Sequence, residues 1–576
     1  MSEINQVIVD REVPCVVRDG VTLYANIYRP EGTGKYPVLL TRLPYNKNLP
    51  DFSHRYIDPI RIAMAGFVVI IQDVRGRFAS EGEFAPFEQE FKDGYDTVEW
   101  AAKLPYANGK VGMFGLSYYG FTQLYAGLER PPSLKAIFPA MTGNISQNGL
   151  FERDGVTELA AVQTWVLDSV AYDYLKRAGN SNYAEAMKEV AQDLDNIEVT
   201  HQHVPYQEWP PIQKHSALVP FFKDYFINNF GEKLFNMAKG KMVKNGQIDI
   251  PAYHLAGWYD SHLAPTLLNY EDMQNQKNNQ KLIVGPWSHG FFDSDIGERS
   301  FGSYASGHSI DAVDDINSLH IDWFNHWLKE DNTSIPANDA PVKLFVMGIN
   351  EWRSEQEWPL KRTEYTPFYF ESDGSANKDL TSGQLKIVAS EKSGRDEFVH
   401  DPKNPVESHG GGTLFYKGRN SGPRDQREIE KRDDVVVYTS APMTEPLEVT
   451  GWVKVKLWVS SDAVSTDFTA KLIDVLPDGQ AYNLTDGIVR VRLPEEVNKE
   501  DNIVQCEIDL WATSNVFLPG HSIRIEIASS NFPRFDVNPN TGNTTLDTVE
   551  MVKAKQTVYH GAEHPSHALL PVIPNV

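Results

Sequence analysis

Val111-Gly-Met-Phe-Gly115-Leu-Ser117-Tyr-Tyr-Gly120-Phe-Thr-Gln-Leu124 is the stretch whose reading decides the fold. Its pattern predicts a β-strand, a tight turn carrying Ser117, and a helix whose apolar residues Phe121, Leu124, Tyr125 and Leu128 recur at i, i+3, i+4 and i+7. Strand, turn and helix in that order make a nucleophile elbow. A serine is a weak nucleophile at its ordinary pKa, so it has to stand clear of the sheet, beside a base, with a backbone N–H free to meet an oxyanion. Gly115 suits the turn because a side chain there would crowd the incoming helix. The fit to G-x-S-x-G is imperfect, since Tyr119 occupies the second glycine's place and Gly120 follows one residue late. A plain strand-glycine-helix turn has the same spacing, and the surroundings decide between the two.

Working outward, residues 6–30 alternate as strands on either side of Arg18-Asp19-Gly20, an Asp-Gly hairpin signal. Tyr36–Thr41, Phe67–Gln72 and Leu134–Phe138 are apolar strands, with helical segments at about 57–65 and 87–103 between them. Alternation of this kind predicts a mostly parallel sheet covered on both faces, with its chemistry at the carboxyl ends of the strands. From 145 to 245 the patterning turns helical, as in Thr157–Val170 and Ala184–Ala191. The sheet pattern then resumes at Ile250–Ala256 and Lys281–Val284. Residues 1–144 and 246–351 therefore read as two parts of one α/β domain, and 145–245 as a helical cap over its active site rather than a separate helical domain.

Both resumed strands end in candidate catalytic residues, Gly257-Trp-Tyr-Asp260 and Gly285-Pro-Trp-Ser-His289. Ser117, Asp260 and His289 follow the chain order nucleophile, acid, histidine of hydrolases with this fold. His201 with His203, and His320 with His326, lack matching carboxylate or cysteine ligands, and no H-E-x-x-H occurs, so neither a metal nor a cofactor is expected.

Composition narrows the class further. A chain of 576 residues is too long for one core. A net charge of −24 argues against nucleic-acid partners, which call for lysine and arginine to replace counterions. Cys15 and Cys506 are the only cysteines, too few for a disulfide framework. The first residues lack a basic, then apolar, leader and no long apolar run occurs, so no membrane association is expected and a cytoplasmic enzyme is the simplest reading. From 352 to 576, period-two strands such as Val449–Val459, Asp467–Ile473, Gly487–Arg492 and Ser522–Ile527 predict an antiparallel β-sandwich with one wet face. The glycine-rich Gly410-Gly-Gly stretch follows no βα pattern and has no lysine in the phosphate position, which argues against a nucleotide loop.

Gly-Leu-Ser117-Tyr118-Tyr-Gly, Gly-Trp-Tyr-Asp260, Gly-Pro-Trp-Ser-His289, Leu43-Pro-Tyr45-Asn-Lys47 and Asp73-Val-Arg75-Gly-Arg-Phe-Ala-Ser80-Glu-Gly82 together resemble the cocaine esterase and X-prolyl dipeptidyl-peptidase family of serine hydrolases. That family's elbow also has its last glycine one place late. The resemblance implies an α/β-hydrolase domain with an inserted helical cap and a C-terminal jelly roll. It also implies a triad of Ser117, Asp260 and His289, and an oxyanion hole made by the Tyr45 hydroxyl and the Tyr118 backbone N–H. Trp165, Phe415 and Tyr416 would line the acyl pocket. The chain departs at His262 and around Phe151 from one esterase of the family, which has an aromatic and a tryptophan there, so its pocket is expected to be more polar or differently shaped. The implied activity is hydrolysis, through an acyl-enzyme, of small carboxylic esters with apolar or aromatic acyl groups. Amide or β-lactam acylases and X-prolyl peptidases use the same machinery, and the peptidases need an anionic site that Glu152, Asp154 and Glu158 would supply. A homodimer through sandwich edges fits the family habit. The rival from another class is a non-catalytic, carbohydrate-binding-like protein.

Overall fold

The computed structural model describes residues 6–144, 151–179, 182–226, 230–245, 247–274, 279–329, 340–414, 421–493 and 502–574. Ten strands form one sheet: β1 (Val7–Val16), β2 (Thr22–Pro30), β3 (Tyr36–Leu43), β4 (Val68–Asp73), β5 (Ala107–Leu116), β6 (Leu134–Ala140), β7 (Ala252–Tyr259), β8 (Gln280–Ser288), β9 (Val342–Val346) and β10 (Glu351–Glu355). Their order across the sheet is β1-β2-β4-β3-β5-β6-β7-β8-β9-β10. From β4 to β9 all neighbours run parallel, while β1, β2 and β10 pair antiparallel at the edges. β4 and β7 are buried along their whole length, as unbroken Val, Ile, Leu and aromatic runs require when helices cover both faces. Helices α1 (Glu90–Ala102) and α2 (Tyr118–Glu129) pack together on one face, and α2 buries every residue from Tyr118 to Leu128. Among the described residues no helix is long and apolar enough to cross a membrane.

The insertion between β6 and β7 is helical, as its patterning predicts, from Leu159–Trp165 through Phe230–Asn245, but it opens with a short hairpin, Glu152–Arg153 against Val156–Thr157. Two-residue strands carry no periodicity, so nothing in the sequence marks them. A π-helical turn, Val166–Val170, follows Trp165. Its carbonyls are diverted: the Arg77 guanidinium donates to Ser169 O at 2.6 Å and Val170 O at 3.2 Å.

The C-terminal part is an all-β domain built from an eleven-stranded network. It includes β11 (Leu447–Ser461), β12 (Ser465–Val475), β13 (Ala481–Arg492), β14 (Val504–Phe517) and β15 (Ser522–Ala528). Its core of Val455, Leu457, Phe468, Leu472, Ile508 and Ile525 continues into Trp258, Leu282 and Phe345 of the hydrolase sheet, so the two domains share one apolar body. The expectation of a wet sandwich face holds along β11 and the first half of β14, where buried and part-exposed residues alternate, and needs correction at β12 and β15. β12 is buried at all 11 positions and β15 at all 7. Their polar residues alternate as the sequence pattern says, but meet partners instead of water: Lys471 pairs with Glu526 at 3.2 Å, Arg490 with Asp467 at 2.9 Å and Arg524 with Glu430 at 2.6 Å. Period two reports which residues share a face; it does not report what covers that face.

Candidate active site

Ser117 sits at the carboxyl end of β5 with φ 59° and ψ −123°, a conformation that costs a non-glycine residue on the order of 1–3 kcal/mol and persists only where surroundings impose it. Those surroundings are visible. Ser117 N donates to Ala140 O at the end of β6 at 3.0 Å, and Thr142 Oγ1 donates to Ser117 O at 2.8 Å. A Cβ on Gly115 would lie 2.6 Å from the Tyr119 ring, and one on Gly120 would lie 2.5 Å from Thr142 Cβ. The displaced glycine is thereby explained. The Tyr119 ring uses the space left by Gly115, and close approach is needed one residue later, against Thr142. Tyr118 opens α2, where backbone N–H groups have no intrahelical acceptor. Its side chain is spent elsewhere, donating to Glu90 Oε1 at 3.1 Å and accepting from Phe87 N at 2.8 Å.

Asp260 and His289 follow β7 and β8. His289 Nδ1 donates to Asp260 Oδ1 at 2.7 Å, both residues being buried. Met141, directly after β6, links the two halves: its N donates to Leu255 O at 2.7 Å, and its Sδ accepts from Gly290 N at 3.3 Å. The carboxyl ends of β5, β7 and β8, with β6 between the first two, thus carry the three residues predicted to act together.

Tyr45 is held from three sides. Lys47, two residues on, is buried against Asp73 at 2.7 Å, and Arg77 Nε donates to Pro44 O at 2.9 Å. The two sequence signatures around Tyr45 and Asp73 are therefore halves of one brace. From the cap, Trp165 Nε1 donates to Tyr45 Oη at 3.1 Å. Burial pushes the Tyr45 phenol up to about 12, with the Trp165 hydrogen bond opposing the shift, so the hydroxyl keeps its proton at neutral pH. Burial also pulls Arg77 down to about 10, which leaves it charged. Arg77 and its reach to the cap are what sequence reasoning missed, although the residue lies inside a signature it singled out.

Of the predicted pocket residues, Trp165 and Phe151 meet around Phe226, at ring separations of 6.1 and 5.0 Å. His262 lies 4.9 Å from the His289 ring, and burial lowers its pKa to about 4. Phe415 and Tyr416 lie outside the described residues, but the loop that leads to them passes the acid: a Cβ on Gly412 would lie 2.8 Å from Asp260 O. Glu158 is paired with Arg534 at 3.5 Å, while Glu152 and Asp154 are exposed. His201 bonds Gln163, and His320 stacks on Phe138 at 3.7 Å; both are buried.

A doubly covered parallel sheet presenting a strained serine on a strand-to-helix elbow defines a serine hydrolase of the α/β-hydrolase fold. Comparison with known proteins sharpens this. Residues 19–291 match the family described as X-Pro dipeptidyl-peptidase (S15 family), and 335–568 match the X-Pro dipeptidyl-peptidase C-terminal non-catalytic domain. The chain is 38% identical to cocaine esterase of Rhodococcus sp. (strain MB1 Bresler) over 567 residues, 97% of each protein, and it belongs to that family of serine hydrolases. Two solved structures share the whole fold at lower identity. One is an aminopeptidase from a marine-sediment Thaumarchaeota archaeon, with TM-score 0.79 and 23% identity, covering 100% of this chain and 98% of the other. The second is an α-amino acid ester hydrolase, with TM-score 0.72 and 22% identity, covering 99% and 97%.

Proposed function

We propose that the protein hydrolyses small carboxylic esters with apolar or aromatic acyl groups through an acyl-enzyme on Ser117. His289 Nε2 takes the Ser117 proton as the hydroxyl oxygen attacks the ester carbonyl, then returns it to the leaving alkoxide. Asp260 holds Nδ1–H and stabilises the imidazolium. The oxyanion is met by the Tyr45 hydroxyl and the Tyr118 N–H. Water, activated by the same imidazole, then releases the acid. The observation that carries this reading is the strained Ser117 on the carboxyl edge of the same parallel sheet whose β7 and β8 ends bear the 2.7 Å Asp260–His289 pair. The aromatic group of Trp165, Phe151 and Phe226 supports an apolar or aromatic acyl moiety. Glu158, paired with Arg534, is not free for a substrate ammonium, which leaves Glu152 and Asp154 as the cap carboxylates an X-prolyl peptidase reading would use.

The test is a side-by-side assay of wild type and Ser117→Ala on an aryl ester, an aminoacyl-prolyl anilide and a β-lactam with a cleavable side chain. The expected result is fastest turnover of the aryl ester, abolished by Ser117→Ala. Faster cleavage of the anilide or the β-lactam overturns the ester preference. A folded wild type that cleaves none of them, and leaves Ser117 unlabelled by a fluorophosphonate, returns the binding-protein reading.

A further inference from the structure

Acyl transfer does not exhaust the chemistry of the group around Asp260. One donor atom from each of Asp260, His262 and His289 lies within 4.8 Å of the others. The two imidazoles face one another, with ring centres 4.9 Å apart and planes inclined by 34°. Asp260 uses Oδ1 on His289, but its Oδ2 is buried and has no hydrogen-bond partner among the described residues, in a side chain that is fully shielded from solvent. His262 has Nδ1 beside Ser261 Oγ at 3.0 Å, which leaves Nε2 uncommitted to that contact. Reading histidine pairs along the chain gave no reason to expect a metal. This trio forms only when β7 and β8 lie side by side.

Two imidazoles and a carboxylate are a donor set that zinc takes, at roughly 2 Å from each donor, with a water completing the tetrahedron. Donors around one such ion stand roughly 3.3 Å apart, so the widest separation needs to close by up to about 1.5 Å, within the reach of χ rotations. The group also depends on this chain's own residue. Without the His262 imidazole only one carboxylate and one imidazole remain, too few to hold such an ion. We propose that Asp260, His262 and His289 form an inhibitory zinc site. Bound Zn²⁺ exchanges its water ligands for the three side chains and occupies an imidazole lone pair, so His289 cannot serve as base for Ser117. No bond to substrate forms and nothing is oxidised. Release of the ion restores activity. The inhibitory consequence rests on the triad reading above; the binding site itself does not.

Aryl-ester hydrolysis is therefore followed in buffered Zn²⁺ from nanomolar to millimolar, with Mg²⁺ and Ca²⁺ as oxygen-seeking controls. Half-inhibition is expected at roughly micromolar zinc, reversed by EDTA, with no effect of the controls. In His262→Phe and in His262→Gln, each measured against its own metal-free rate, the half-inhibiting concentration is expected to rise about 100-fold. The second arm needs no activity. Co²⁺ added to Ser117→Ala protein is expected to give the intense visible band of a tetrahedral site, lost in Ser117→Ala/His262→Gln. Equal zinc sensitivity in the His262 variants, or no cobalt band in Ser117→Ala, overturns the proposal. A wild type that hydrolyses no ester yet develops the His262-dependent cobalt band sinks the esterase reading and leaves the metal site standing.

Discussion

Tyr45 condenses the site's logic at the scale of one residue. A phenol is a useful oxyanion donor only if it stays protonated and its O–H points at the developing charge. Burial secures the first condition, with the pKa pushed up to about 12. Trp165 secures the second by donating to the phenolic oxygen at 3.1 Å, which leaves the Tyr45 proton free to turn toward substrate. Tyr45→Phe is therefore expected to lower kcat by about 10²–10³ with little change in KM. Trp165→Phe keeps an aromatic ring but loses the N–H together with part of the indole surface, and a loss of about tenfold in kcat is expected from the hydrogen bond alone. Steady-state kinetics of the double variant separate two roles. If Trp165 acts through Tyr45, Trp165→Phe costs nothing further in the Tyr45→Phe background, whereas an equal cost in both backgrounds makes it an acyl-pocket residue only. Both residues were identifiable in the sequence as separate pocket and oxyanion candidates. Their bond was not, because 120 positions separate them and no local pattern connects them.

The same division between what is local and what is long-range holds for whole elements. The hydrolase strands were legible because unbroken apolar runs between helices have few other solutions. The elbow was legible through its serine and glycines. The π turn at Val166–Val170 was not, since the arginine that donates to its last two carbonyls lies 92 and 93 positions upstream. Nor was the dry face of β12, whose cover comes from loops remote in sequence. Arg77 spans three carbonyls, Pro44 beside Tyr45 and Ser169 and Val170 on the cap, while stacking 5.0 Å over Phe84. Two buried acceptors and one half-buried one lose their donor in Arg77→Ala, and each buried unsatisfied group costs on the order of 1–3 kcal/mol. A loss of about 3 kcal/mol or more in urea unfolding is expected, together with a raised KM for the aryl ester as Trp165 leaves its station. Arg77→Lys keeps the charge but lacks the guanidinium fork, so it should recover only part of both. Unchanged kinetics in Arg77→Ala would separate the cap turn from the site.

Across the whole molecule, the cap is clamped between the hydrolase sheet and the all-β domain by polar groups that water does not reach. Arg534, 2% exposed, meets Asp486 at 2.5 Å and Glu158 at 3.5 Å, joining the β domain to the cap. Arg153 of the cap hairpin donates to Asp486 O at 2.7 Å and Asp509 O at 2.6 Å and lies 4.1 Å over the Trp511 ring. Thr157 N adds a bond to Asp536 Oδ1 at 2.8 Å, and Ala160 N one to Pro533 O at 3.0 Å. Such ion pairs gain little over a well-packed apolar equivalent, yet removing one member leaves an uncompensated charge in a dry place, at a cost of about 3–5 kcal/mol. Arg534→Ala is therefore expected to loosen the cap as a unit. Backbone amides of 152–177 should exchange hydrogen at least about tenfold faster in mass spectrometry while those of β4 and β5 hold their protection. The origin of the loss is checked by charge removal. If stranded carboxylates carry the cost, adding Glu158→Gln and Asp486→Asn to Arg534→Ala restores most of the protection, even though two further native groups have been altered. If the triple variant exchanges as fast as the single one, the guanidinium works by filling space, and the electrostatic account of how the cap is held fails.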